Sequence, residues 1–232
     1  MHFVASAVIV RHDKQAPARA ELAQLRADLG RQPRQVLHFQ KFSHAQRLKA
    51  IQGLAASSVD TIANVIMCKG GFTQPDAKTG ELSYITNPDP MYLYPVRLLM
   101  ERVSWYIREN GGGSAVVTFA HVRRFKADKL HDYRAALKAS NTNIHWPSFD
   151  GHPFKIGAPD QVGMLRFADT AASSGFRAIE PDEFGNTERR YLTELAPKLY
   201  RRGAANVVSY GLKTFPATYT NAGGTLDWLR EL

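Results

Sequence analysis

The residue most at odds with its setting is Asp169. Val162, Leu165, Ala172 and Phe176 repeat at spacings of three and four, and Asp169 falls four after Leu165 and three before Ala172. That spacing predicts a helix over 161–178 with Asp169 on its inward stripe. A carboxylate there has to be paired, protonated or bound to a cation, because desolvating it alone is costly. Two outcomes stay open: a buried Asp bonded to an arginine or a backbone amide, or a site carboxylate at the rim of a sheet that holds a metal ion. A second group of candidates lies in LHFQKFSH, where His38, Lys41 and His44 follow one another closely. Five residues separate the two histidines, which is no zinc spacing. A phosphate-facing or hydrogen-bonded His38–Lys41 pair and a plain surface pair both suit this stretch, and His38 could serve as the base of a small-molecule hydrolase. Lys69 ends a predicted central strand, the position where α/β proteins place ligand contacts, though a solvated lysine fits as well. Arg123, Arg124 and Lys126 form a compact basic patch, with Phe119 and Phe125 interleaved as core residues or as stacking platforms.

Familiar catalytic signatures are absent. The sequence has no phosphate-binding Gly-rich loop ending in Lys-Ser/Thr, no Gly-x-Gly-x-x-Gly, no Gly-x-Ser-x-Gly and no His-Glu-x-x-His. Its one cysteine, Cys68, excludes a disulfide framework and a Cys-based zinc site, and a single free thiol agrees with a reducing cytoplasm. The 232 residues are 44% hydrophobic and 22% charged, an ordinary globular balance that excludes disordered, collagen-like and coiled-coil chains. No apolar run approaches the roughly 18 to 20 residues that span a bilayer. The net charge is +9, and residues 1–50 hold nine Lys/Arg against three Asp/Glu. Such an excess attracts polyanions, nucleic acid first among them.

The elements that must position these residues alternate. Met1–Val10 reads as a strand, its β-branched residues and missing basic flank arguing against a signal peptide. A helix follows from Pro17 to Gly30, with Leu22, Leu25 and Leu29 as its stripe. Val36–Phe39 reads as a short strand. Ser43 and Gln46 form a capping box, and Leu48, Ile51 and Leu54 continue one helix face. Thr61–Met67 is an apolar strand. Residues 70–90 are a polar loop, long enough to be a flap, with Asp89-Pro90 capping a helix through Leu93, Val96, Met100, Val103 and Ile107 that ends at Gly111–Gly113. A strand over 115–120, a helix over 128–139, an irregular stretch over 141–159, a helix over 193–202 broken or started at Pro197, and a last strand over 206–212 complete the chain. Strands alternating with helices predict one α/β domain over 1–232, a mixed sheet flanked by helices.

Taken in order, FVASAVIV, LHFQKFSHAQR, ANVIMCK, YLYPVRLLMERVSWYIREN and LRFADTAASSGFRAIEPDEFGNTERRYLTELAPKLY resemble the domain of unknown function 3800 family of prokaryotic proteins, from about residue 3 to about residue 212. The resemblance implies a ribonuclease H-like fold and metal-dependent nuclease chemistry. Mg or Mn would be held by acidic residues from a first strand, a middle strand and a C-terminal helix. The family's Gln-Leu-Ala-Asp helix motif stands here as Arg166-Phe167-Ala168-Asp169, so Asp169 is the implied metal ligand. Beside the resemblance, His38 and Lys41 are this chain's further catalytic candidates, and Lys69, Arg97, Arg123 and Arg124 its candidate contacts to nucleic acid. Two departures matter. The family's opening Asp-Glu-Ser-Gly strand has no counterpart, and where its middle strand ends in Asp-Glu this chain has Ala120-His121. A degenerate or N-terminally incomplete acidic site follows. The alternative is a non-catalytic nucleic-acid- or partner-binding protein of a mobile-element or phage-defence system. The missing first strand also predicts one of three things: Met1–Val10 takes the central place, a second chain or partner pairs across the open sheet edge, or the natural protein is longer.

Overall fold

The computed structural model describes residues 2–32, 37–69, 73–75, 82–84, 88–121, 127–158 and 161–232, with backbone alone at 73–75, 82–84, 88, 90 and 127. Its elements in chain order are β1 (His2–Ile9), α1 (Gln15–Asp28), α2 (His44–Ala56), β2 (Thr61–Cys68), β3 (Thr73–Pro75), β4 (Leu82–Tyr84), α3 (Pro88–Glu109), β5 (Thr118–Ala120), α4 (Ala127–Ala139), β6 (Lys155–Gly157), α5 (Leu165–Ile179), α6 (Arg190–Leu195) and β7 (Leu212–Phe215), joined in several places by short 3-10 turns. The main sheet has three strands in the order β1-β2-β7. β1 runs antiparallel to β2, from His2 opposite Cys68 to Ile9 opposite Thr61, and β7 runs parallel to β2. β3 pairs with β4 and β5 with β6 in two small separate ladders. The protein is thus mixed α/β with six α-helices among the described residues. No described helix is long and apolar enough to cross a membrane.

β2 is the hinge of the packing. All eight of its residues are buried, and their alternation serves two cores, as expected for a strand covered on both faces. Ile62, Ile66 and Cys68 join α1, α2, α5 and α6 in the larger cluster. Ala63, Val65 and Met67 meet Leu98 and Leu99 of α3 on the other face. The outer side of α3, through Val96 and Met100, packs with α4 and the β5–β6 region in a third cluster around Leu130, Phe149 and Phe154. Asn64, fully buried in β2, is satisfied by Ser6 Oγ, which donates to its Oδ1, and by the carbonyl of Ala171, which accepts from its Nδ2 at 3.5 Å. That polar tie joins β1, β2 and α5.

Several expected elements form. Ser43 caps α2 with the full reciprocal box: Gln46 N–H donates to Ser43 Oγ at 3.3 Å, and Ser43 N–H donates to Gln46 Oε1 at 3.1 Å. β1, β2, α1 and α4 lie where the pattern placed them, within two residues at each end. Others differ. β1 lies at an edge of the sheet and β2 at its centre, so the first strand does not take the central place. Phe39–Lys41 is a 3-10 turn, not the end of a strand, and 33–36 lies outside the described residues. The 70–90 stretch carries the β3–β4 pair and, from Pro88, the first turn of α3. α6 stops at Leu195, because Pro197 has no N–H to continue the ladder; Leu199 is extended and bridges Ile62 of β2. The last strand is 212–215 instead of 206–212. Gly211 marks the entry: a Cβ there would stand 2.6 Å from the Tyr200 nitrogen, so the chain passes tightly over that backbone, and the ladder to β2 opens only as the Gly211 carbonyl accepts from Asn64 N–H at 2.7 Å.

Candidate functional site

The local sequence builds the site from a short turn and one helix. In 37–42 the side chains alternate inward and outward, with Leu37, Phe39 and Phe42 buried and His38, Gln40 and Lys41 exposed. Phe39 is the anchor. Its ring stands edge-on to that of Tyr191 at 5.7 Å, and Arg47 of α2 reaches back over it, its Nε donating to the Phe39 carbonyl at 3.2 Å and its Nη2 to the Gln40 carbonyl at 2.9 Å. Tethered in this way, the turn presents His38, Gln40 and Lys41 toward α5. Together with Phe39, Asp169 and Ser173 they line one cleft of about 260 Å³. Two of the three residues chosen for catalysis come from 37–42 and the third lies some 130 residues on, and the fold brings them to the same cleft.

Asp169 itself sits differently from the expectation. The inward side of α5 consists of Arg166, Phe167, Thr170, Ala171, Ser174, Gly175, Ala178 and Ile179, and Asp169 is exposed beside it. The misplacement has a physical cause. The helix lies so close to the sheet that small residues carry its contact: a Cβ on Gly175 would meet Val4 Cγ1 at 3.3 Å and Asn64 Nδ2 at 3.4 Å. Counting large apolar residues therefore selects the wrong face. Exposure at the surface does not leave the carboxyl well solvated, because the walls of the cleft crowd it. Loss of solvation raises its pKa above the ordinary carboxylate value, against the opposing charges of His38 and Arg166, which lower it.

Arg166 and Ser173 are members of this neighbourhood that residue type alone did not single out. Ser173 is one helical turn after Asp169, and that i, i+4 spacing was the available signal. A histidine–tyrosine contact adjoins the anchor: His44 Nδ1 lies 2.9 Å from the Tyr191 hydroxyl and 3.8 Å from Glu188 Oε2. The remaining candidates are elsewhere. Lys69 follows Cys68, which pairs with His2, and His2 Nδ1 meets Glu180 Oε2 at 2.6 Å at the far end of α5. Eleven helical residues separate Glu180 from Asp169, a rise of about 16 Å. Arg97 is on α3, across the sheet, with its Nε donating to Glu101 Oε1 at 3.3 Å. Arg123, Arg124 and Lys126 lie outside the described residues. His121 is exposed after β5. Cys68 is buried, and burial pushes its thiol up to about 11, which disfavours the nucleophilic thiolate.

A two-metal centre needs several clustered carboxylates. Among the described residues no three His, Cys, Asp or Glu side chains gather in a metal-holding group. The cleft offers one carboxylate and one imidazole, with Lys41 beside them as a competing cation. That donor set does not fit a two-metal site, and no step is derived through such ions. Its chemistry is that of an open polar cleft with the Lys41 ammonium, a histidine beside a desolvated acid, and neutral donors from Gln40 and Ser173, while the buried Arg166 acts on Asp169 through its charge alone. No family model, curated protein or solved structure matches the chain.

Proposed function

We propose that this protein binds a nucleic-acid backbone at the α5 cleft, on a ribonuclease H-like scaffold whose acidic site is incomplete. The observation that carries the reading is the meeting of His38, Lys41 and Asp169 in one cleft of about 260 Å³, a size suited to a phosphodiester and part of its sugar. Lys41 offers an ammonium, His38 an imidazole N–H, and Gln40 and Ser173 neutral donors to phosphate oxygens. The net charge of +9 supplies the long-range attraction that brings a polyanion to such a cleft. The order of segments resembling the domain of unknown function 3800 family supports the scaffold and a prokaryotic mobile-element or phage-defence setting.

A second reading, hydrolysis, is favoured by the electrostatic coupling of Asp169 to His38. In it Asp169 orients the imidazole, His38 takes a proton from the attacking water or hydroxyl, and Lys41 balances the charge gathering on phosphorus-bound oxygen. Fluorescence anisotropy and gel assays on labelled single- and double-stranded DNA and RNA separate the readings. Each is run with Mg, with Mn and with EDTA, on wild type, His38→Ala and Asp169→Ala. Binding without cleavage in any buffer supports the first reading. Cleavage lost in both variants supports the second, and dependence on Mg or Mn would restore Asp169 as a metal ligand. Absence of binding at low salt rejects both.

A further inference from the structure

We infer that this chain forms a closed two-fold dimer in which β1 pairs antiparallel with β1 of a second copy, while α5 packs on its counterpart above the joined sheet. Among the described residues β1 is an eight-residue edge strand, and its sequence HFVASAVI contains no Lys, Pro or Gly and no acid to blunt that edge. Alternate residues of such a strand direct their N–H and C=O groups away from the neighbour they already have. A second feature, without an apolar partner among the described residues, runs beside it. Leu165, Ala168, Ala172 and Phe176 share one face of α5. All four are only partly buried, and none belongs to the apolar clusters under the helix.

The two features share one symmetry axis. A two-fold axis normal to a sheet pairs strand residues that point to the same face. Centred on Ser6, it sets Val4 against Val8, Ala5 against Ala7 and Phe3 against Ile9, matching like with like. The α5 stripe is centred between Thr170 and Ala171, with Ala168 and Ala172 inside and Leu165 and Phe176 at its ends, so an antiparallel pair brings Leu165 of one helix to Phe176 of the other. The two centres lie at the same level. Gly175 stands over Val4, and His2 meets Glu180, so α5 runs antiparallel to β1. From Gly175 back to the stripe centre is about 7 Å of helix, and from Val4 to Ser6 is about 7 Å of strand.

The spacing also closes. Gly175 faces both Val4 of β1 and Asn64 of β2, which seats α5 over the seam between those strands. With strands about 4.8 Å apart, two helices seated over such seams on either side of the axis stand about 10 Å apart, within the usual packing distance. The footprint, about 26 Å of strand by two layers of about 10 Å, is about 500 Å² per copy. The total of about 1,000 Å² meets the lower bound for a specific dimer. In a chain of charge +9 two copies repel; the β1 segment 3–10 and the four α5 residues carry no formal charge, and Asp169, on the same side of α5, is the acid set opposite Ala172 of the second copy.

The test is the mass in solution by light scattering on a sizing column, at about 5 and about 100 μM. The expected mass is twice the 25.9 kDa of one chain, falling to a single chain in Ala172→Arg and in Phe176→Glu with the circular dichroism of wild type. A cysteine placed at Ala172 is expected to cross-link two copies under mild oxidation or with a short bis-maleimide, while one at Gln24 on α1 is not. A monomer at both concentrations overturns the inference, as does an open-ended series of larger species. A dimer indifferent to both substitutions overturns it too. If either substitution unfolds the chain, failure of the Ala172→Cys cross-link decides against it.

Discussion

Asp60 and Asp169 respond to the fold in opposite directions. Burial at Asp60 raises its pKa, but this is outweighed by Lys14 Nζ, donating at 2.7 Å, by the Arg11 backbone N–H at 2.7 Å, and by the charges of both residues; the net effect holds the carboxyl below its usual value. A depressed folded pKa stabilises above the unfolded value of 3.8, and that contribution disappears as the pH falls through the folded value. Asp60→Asn is therefore expected to cost about 1 kcal/mol at pH 7, since its cationic partners are partly solvated. The difference from wild type should narrow in acid, as read by urea unfolding at pH 7 and pH 3. For Asp169 the sign reverses. Its raised folded pKa means that the folded state holds the proton longer than the unfolded chain, so stability declines as the pH climbs from 3.8 through the folded value. Asp169→Asn is expected to raise Tm slightly at neutral pH and to leave it unchanged near pH 3. A lower Tm at pH 7 would contradict a desolvated acid at this position. The identity of Asp169 was legible in the sequence from its helix motif and its unusual company. Its orientation was not, because Ala171, Ser174, Gly175 and Ala178 bury the true inner face without looking apolar enough to mark it.

At the scale of elements, what the local sequence encodes was readable. The Ser43–Gln46 box, the apolar run of β2 and the Leu stripe of α1 all depend on neighbours within a few residues. What depended on distant backbone was not. The turn at 39–41 is held by Arg47 and Tyr191, and the entry to β7 is marked by the approach of Gly211 to Tyr200. Gly211→Ala is expected to destabilise by about 2 kcal/mol or more, because the clash is with backbone and cannot be relieved by a rotamer. Phe39→Ala, which removes a side chain only 2% exposed, is expected to cost about 3–5 kcal/mol and to weaken ligand binding by releasing the turn that carries His38 and Lys41. Lys198 pins the end of α2, its Nζ donating to the carbonyls of Ser57 at 2.7 Å and Val59 at 2.8 Å. Lys198→Met is expected to cost about 2 kcal/mol. Denaturant unfolding checks all three, with an unchanged midpoint counting against the corresponding contact.

For the whole molecule, the architecture assigns different work to the two faces of the sheet. One face carries α2, α5, α6 and the polar cleft; the other carries α3 and the Arg97–Glu101–Arg102 ion pairs, through which Arg102 reaches the Ser209 carbonyl at 2.9 Å. Arg97 thus lies across the sheet from Lys41 and the cleft, a division that linear spacing cannot reveal. In the proposed reading, a polyanion drawn by the net charge is expected to meet specific contacts at the α5 cleft. The most direct measurement is the salt dependence of binding of a short fluorescent single-stranded oligonucleotide to wild type and Lys41→Ala, between 50 and 200 mM salt. The affinity of wild type is predicted to fall steeply and linearly on logarithmic axes, and the slope for Lys41→Ala to be shallower by about 0.7, the loss of one phosphate contact. Equal slopes and equal affinities for the two proteins, or binding that ignores salt, would contradict the placement of the nucleic-acid site in the α5 cleft.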